Sequence, residues 1–379
     1  MTQYKQHLLA LFLVAFSLLS SSCNFIPQAD ENKTTDPTPV QTKVQQSNAN
    51  IQFKDIHTLR EAALNTKKRS ISIGTAANID AFHTDENYKK ILGREFDLLV
   101  AENVMKMDVM HTNIDTFDFS QSDELVSFAK QHSMQIEGAN LIWSNQVPAW
   151  ITNGGYNRDE LLGIMKDYIL NVVGHYKGQV KSWVVVNEPL DTNEANQKSI
   201  WESVIGPQYI DYAFRWAHEA DPQAKLYINE FDTELINEKS NSYYALIQGL
   251  LQRKVPINGV GFEGHLDVAI QYPYDQLVSN LNRFADLDLQ VQITEADIKL
   301  QNSPDPLPEK FKQQASLYAD IIHACQEVKQ CSGVVLWGFT DRYTWIPNFT
   351  HHPDQPLIFN AQYQPKPAYN AIKEALFGK

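Results

Sequence analysis

From residue 70 onward, short apolar segments alternate with longer ones in which apolar residues recur every three or four positions. The short segments that read as strands are Ser70 to Ala77, Asp97 to Asn103, Gln135 to Trp143, Ser182 to Glu188, Lys225 to Asp232, Gly259 to His265, Gln290 to Asp297 and Gly333 to Asp341. Trp183-Val-Val-Val and Gly333-Val-Val-Leu-Trp337 are apolar without alternation, as strands covered on both faces should be. The helical period is clearest at Leu161, Leu162, Ile164, Met165, Tyr168, Ile169, Val172 and Val173. Ser120-Gln-Ser-Asp-Glu predicts a capped helix ahead of Lys130, and Pro273 and Pro308 fit first-turn positions. Strand-helix units repeated eight times in a chain of 379 residues predict one α/β domain, a (β/α)8 barrel, rather than a doubly wound sheet.

The first fifty residues follow another pattern. Lys5 precedes an apolar run from Leu8 to Leu19 that falls short of the ~20 residues needed to cross a bilayer, so residues 1–22 read as a secretory signal. Ser20-Ser-Ser-Cys23 resembles the lipobox of bacterial lipoproteins, although Leu19 lies four positions before the cysteine, where that pattern has leucine three before. Lipidation of Cys23 is the expectation, against an ordinary signal peptide with an incidental cysteine. Residues 23–50, rich in Gln, Asn, Thr and Asp, bury too little apolar surface to offset ordering entropy and read as a tether. The folded domain is then 51–379. The protein is expected to be exported in a bacterium, as a cell-envelope lipoprotein or in secreted form.

Cys325 and Cys331, six positions apart where a helical pattern meets a strand, would close a short disulfide loop in an oxidising compartment. Two buried thiols are the alternative. No Cys/His spacing suggests zinc, so no metal is expected. The balance of 32 basic against 45 acidic side chains, net −13, argues against nucleic acid as partner and against adhesion to an anionic membrane other than through a lipid.

In a barrel the chemistry sits at the carboxyl ends of the strands. Those ends carry Glu102-Asn103, Trp143, Asn187-Glu188, Asn229-Glu230, Glu263, His265, Thr294-Glu295, Asp297 and Trp337 through Asp341. A Gly-rich phosphate loop, a serine nucleophile elbow and a lysine base are all missing from this set, which disfavours dinucleotide enzymes and esterases. Carboxylates, amides and indoles instead suit a sugar, whose bond, hydroxyls and apolar face they serve in turn. Glu188 and Glu295 each close an apolar run, Trp183-Val-Val-Val-Asn-Glu and Val291-Gln-Ile-Thr-Glu. A single such glutamate is often a surface acid; two of them at strand ends point to paired acid/base work.

Trp183-Val-Val-Val-Asn-Glu-Pro and Gln292-Ile-Thr-Glu-Ala-Asp resemble the two active-site signatures of glycoside hydrolase family 10, the endo-β-1,4-xylanases. Glu102-Asn-Val-Met-Lys-Met107, Gly259-Val-Gly-Phe-Glu-Gly-His265, Cys331-Ser-Gly-Val-Val-Leu-Trp-Gly338, Asp341-Arg-Tyr-Thr-Trp345 and Lys366-Pro-Ala-Tyr369 continue the likeness in order. The resemblance implies retaining hydrolysis of xylan without cofactor, with Glu188 as acid/base and Glu295 as nucleophile. It also implies that Asn187 binds the sugar 2-hydroxyl and that His265 steadies Glu295. Glu102, Asn103 and Lys106 would bind the next sugar on the non-reducing side, with Trp143, Gln146, Trp337 and Trp345 as walls. A β-1,4-linked saccharide is the implied partner; no protein partner is.

The chain departs from the family in several places. Ala139 stands where the family has a sugar-contacting histidine, Glu263 where it has glutamine, Glu230-Phe-Asp232 for Asp-Tyr-Asn, and Ala296 for leucine. Room at Ala139 for a hexose hydroxymethyl group would favour a β-glucanase, and a xylosidase-like exo enzyme is the other reading within the clan. A catalytically silent glycan-binding lipoprotein would keep the indoles without needing both glutamates. A purely structural lipoprotein leaves the polar rim unexplained.

Overall fold

The computed structural model describes residues 52–190 and 198–379. Nine strands run along the chain: β1 (Ser72–Ala77), β2 (Leu98–Ala101), β3 (Gln135–Ile142), β4 (Ser182–Asn187), β5 (Lys225–Glu230), β6 (Gly259–Phe262), β7 (His265–Asp267), β8 (Gln290–Lys299) and β9 (Cys331–Leu336). All pairings among them are parallel. β1 pairs with both β2 and β9, and β6 pairs directly with β8, so β1 to β6, β8 and β9 close into an eight-stranded barrel. Helices connect the strands, as parallel pairing requires. The predicted (β/α)8 fold is the one observed.

The strands are buried on both faces, which accounts for their unbroken apolar runs: Val184, Val185 and Val186 are all at most 2% exposed. Helix Arg158–His175 covers the outside with Leu161, Met165, Tyr168, Ile169, Val172 and Val173, the residues whose spacing predicted it. Ala76, Leu98, Val100, Ala139, Val184, Val335 and Trp337 form a separate inner cluster. This filled interior makes the barrel a platform, with only its rim free for chemistry.

The sixth predicted strand is two pieces. β6 stops at Phe262; Glu263 still bonds through its backbone to Glu230 and Glu295, and the chain turns at Gly264 before β7 pairs beside the outer part of β8, His265 opposite Asp297. Gly264 makes the turn possible, with φ +79° and Ile293 so close that a Cβ would lie 2.8 Å from its Cγ2. Smaller differences lie at helix starts. Ser120 is the first residue of helix Ser120–Gln131 rather than its cap, and Asp118 accepts its N–H. Pro273 immediately precedes helix Tyr274–Ala285, while Pro308 sits in the first turn of Leu307–Glu327.

Cys325 and Cys331 form a disulfide, with Cα atoms 5.2 Å apart, between helix Leu307–Glu327 and β9. The Arg69 guanidinium donates to the carbonyls of Cys325, Val328 and Cys331, satisfying the groups that the tight connection leaves over. Among the described residues no helix is long and apolar enough to cross a membrane. The signal at 1–22, the tether at 23–50 and Cys23 lie outside the described residues.

Candidate active site

β4 ends on two residues of different use. Asn187 is its last residue, and Glu188 turns out of the ladder at φ +50°, an uncommon conformation for a residue with a side chain. Its N–H still donates to the Asn229 carbonyl at 2.9 Å, so the turn is anchored to β5. The carboxyl is gripped on both oxygens. Trp143 Nε1 donates to Oε2 at 2.7 Å and Asn187 Nδ2 to Oε1 at 3.3 Å. Trp143 is itself held by Trp201, whose Nε1 donates to its carbonyl at 2.8 Å.

Glu295 projects from the middle of β8, 8% exposed, with its N–H on the Glu263 carbonyl at 2.7 Å. Its Oε1 accepts from Asn229 Nδ2 at 3.0 Å, and its Oε2 lies 3.4 Å from His265 Nε2. The other ring nitrogen of His265 faces Asp297 Oδ1 at 3.0 Å, and Asp297 Oδ2 accepts from Trp345 Nε1 at 2.8 Å. A row of close polar contacts therefore runs from Trp345 through Asp297 and His265 to Glu295. The Trp345 ring also packs on His265, 5.1 Å between centroids.

Asn229, on β5 between the two glutamates, joins them. Its Nδ2 approaches Asn187 Oδ1 at 2.9 Å, Glu295 Oε1 at 3.0 Å and Glu263 Oε1 at 3.2 Å, and its Oδ1 accepts from Thr294. The sequence marked Asn229 as a rim residue and assigned it nothing. Asp297, likewise marked only as rim, supports His265.

Lys106 is buried between indoles, its ammonium 4.8 Å from the Trp143 ring centroid and 5.6 Å from that of Trp337, and it donates to Asn103 Oδ1 at 3.4 Å. Burial draws its pKa down, opposed by the charges of Glu295, Glu102 and Glu188. That all three carboxylates act on one ammonium places Glu102 in the same cleft. Burial raises the Glu102 carboxyl, while hydrogen bonds to Asn78 and the charge of Lys106 act against it. Gln146, at φ +51°, turns the chain so that its carbonyl accepts from Asp108 at 3.1 Å; with Lys106, Asn140 and Trp143 it lines one recess. The predicted rim residues thus gather on one face of the barrel.

His265 is the electrostatic centre. Burial by itself would lower the imidazole, but Asp297, Glu295 and Glu263 outweigh it and hold the ring well above its usual pKa, as imidazolium. Ligand atoms of Glu263, His265 and Glu295 lie within 4.8 Å of one another, a spacing that a cation could bridge. Asn229 already donates to both glutamates and the His265 ring faces both, so the cluster is linked internally.

The sequence profile of glycosyl hydrolase family 10 matches residues 60–375. The chain belongs to that family. It is 39% identical over 314 residues to endo-1,4-beta-xylanase B of Thermotoga neapolitana, covering 82% of this chain and 90% of that one. The beta-1,4-xylanase of Dictyoglomus thermophilum is 36% identical over 317 residues. Among solved structures, xylanase 10B of Thermotoga petrophila in complex with xylobiose superposes with a TM-score of 0.80 at 40% identity, over 86% of this chain and 98% of that one. Membership of family 10 makes the protein a retaining glycoside hydrolase, and the site just described lies where its barrel carries chemistry.

Proposed function

We propose that the protein is an endo-acting β-1,4-xylanase in which Glu188 is the general acid/base and Glu295 the nucleophile. The observation that carries the reading is the shared scaffold of the two carboxyls. Both are tied to Asn229, Glu188 through its backbone and Glu295 through its side chain. A retaining mechanism needs two carboxyls about 5–5.5 Å apart, one protonated and one ionised. Glu295 is held for attack by an N–H from Asn229 at 3.0 Å and by the His265 ring at 3.4 Å.

In the first step the Glu188 proton passes to the leaving glycosidic oxygen as a Glu295 oxygen bonds to the anomeric carbon. Esterification removes the Glu295 charge, so Glu188 ionises more readily and takes a proton from water in the second step. Asn187, bonded to the Glu188 carboxyl and linked to Glu295 through Asn229, is placed to hydrogen-bond the sugar that is cut. Trp337 and Trp345 offer flat apolar walls, and Lys106, Asn103 and Glu102 a polar clamp further along the cleft. The likeness to xylanases across nearly their whole length supports xylan as the polymer. We further propose that the enzyme is exported and anchored through a lipid on Cys23.

The test is product analysis of the purified enzyme on xylan, mixed-linkage glucan and short xylo-oligosaccharides, with the anomer of the first product followed by NMR. Xylo-oligosaccharides released with retained β-configuration are expected. Release from glucan alone would move the assignment to a glucanase. Membrane fractionation of wild type against Cys23→Ala tests the anchor, with loss from the membrane pellet expected for the variant.

A further inference from the structure

Glu263 is 3% exposed and sits beside Glu295, and among the described residues the donors it meets are ones that Glu295 meets too. Its Oε1 lies 3.2 Å from Asn229 Nδ2 and its Oε2 3.5 Å from His265 Nε2. These are the same two groups that hold Glu295, at 3.0 and 3.4 Å. Two buried carboxyls thus share two donors. Fixing a second full charge there would add repulsion without adding a partner, the situation in which neighbouring acids hold one proton between them.

We propose that Glu263 and Glu295 form a one-proton pair in which Glu263 carries the proton, and that Glu263 is therefore a positioning residue for the nucleophile. The more exposed member, Glu295, keeps the charge and both donors. Glu263, neutral, fills its side of the cluster without competing for them. Losing the proton would make Glu263 a rival acceptor for Asn229 and His265 and loosen the aim of Glu295. This rests on the reading of Glu295 as nucleophile.

The charged surroundings agree. From β8, Glu295 and Asp297 face the cluster; from β4, Glu188; from β5, Glu230, whose charge Lys239 answers at 2.8 Å. Glu234 accepts the N–H of Gly264 at 2.7 Å just beside it. Only His265 among these favours ionisation of Glu263. Burial first, then the charges of Glu295 and Glu188, push its carboxyl well above the ordinary carboxylate range.

Two measurements test the pair. With a dinitrophenyl β-xylobioside the leaving group needs no protonation, so the alkaline limb of kcat/KM no longer reports Glu188. Wild type should still fall by about tenfold per pH unit on that limb, and Glu263→Gln, neutral at every pH, should change less than about twofold across it. The infrared difference spectrum of wild type minus Glu263→Gln at neutral pH should contain a protonated-carboxyl stretch, over and above those of Glu188 and Glu137 that both proteins share, and in a Glu295→Gln background that difference band should fade at lower pH, where the like charge is gone. A Glu263→Gln profile that keeps the wild-type alkaline limb, or wild-type spectra without that band, overturns the proposal. The band in a protein that hydrolyses no β-glycoside would support the protonation state and overturn instead the assignment of Glu295 as nucleophile.

Discussion

Each of the two glutamates proposed to carry the reaction is defined by what touches it more than by its own identity. Glu188 accepts from an indole and an amide; Glu295 accepts from an amide and faces an imidazolium. Removing them should therefore have different consequences. Glu188→Ala is expected to lose about 10²–10⁴-fold on natural xylan, where a proton must reach the leaving oxygen, and far less in the glycosylation step with an activated aryl glycoside. Glu295→Ala should lose activity on both substrates, since no covalent intermediate can form. Steady-state kinetics on the two substrate types separates the roles. Asn229→Ala should lower kcat more than it raises KM, because it removes an N–H that aims the nucleophile rather than a contact that binds the sugar.

At the scale of elements, the break between β6 and β7 places His265. Gly264 permits it through a positive φ, and its close neighbour Ile293 leaves no space for a methyl group. Gly264→Ala is expected to cost on the order of 1–3 kcal/mol of stability and to lower activity through His265, measured by urea unfolding alongside kinetics. The sequence read this region as one strand because Gly259-Val-Gly-Phe-Glu-Gly-His is short and apolar enough to look continuous; the break depends on a pairing with β8 that no local pattern encodes. The disulfide, by contrast, was legible from the spacing of Cys325 and Cys331 at a helix-strand junction. Replacing both by Ser should cost about 2 kcal/mol, the value expected for so short a loop, and leave the kinetics of the folded enzyme unchanged.

For the whole molecule, the acids buried in the barrel govern stability against pH. Burial raises Glu137 inside the barrel to about 7, partly offset by hydrogen bonds from Ser182 and Gln292. It raises Asp97 to about 6 and Asp341 to about 6 in the same way. Each has a folded pKa above its unfolded one, so each contributes its full stability only below the unfolded value and loses it as pH rises through the folded value. The fold should weaken between about pH 4 and 7 from these groups, and Glu137→Gln should flatten part of that decline. Unfolding midpoints at about pH 5 and pH 8, compared between wild type and variant, check the sign.

The sequence alone determined the barrel, because strands buried on both faces must be apolar throughout and the helices between them must repeat at three and four residues. It also determined which positions end those strands, and hence the rim set that includes Glu188, Glu295 and the indoles. Tertiary structure decided how those groups serve one another. Asn229 becomes a bridge, His265 a partner of three carboxyls and Glu263 a close neighbour of Glu295 only when β4, β5, β7 and β8 stand side by side. Hydrophobic period is a property of neighbours along the chain, whereas a shared proton or a shared donor depends on distances that only the closed barrel sets.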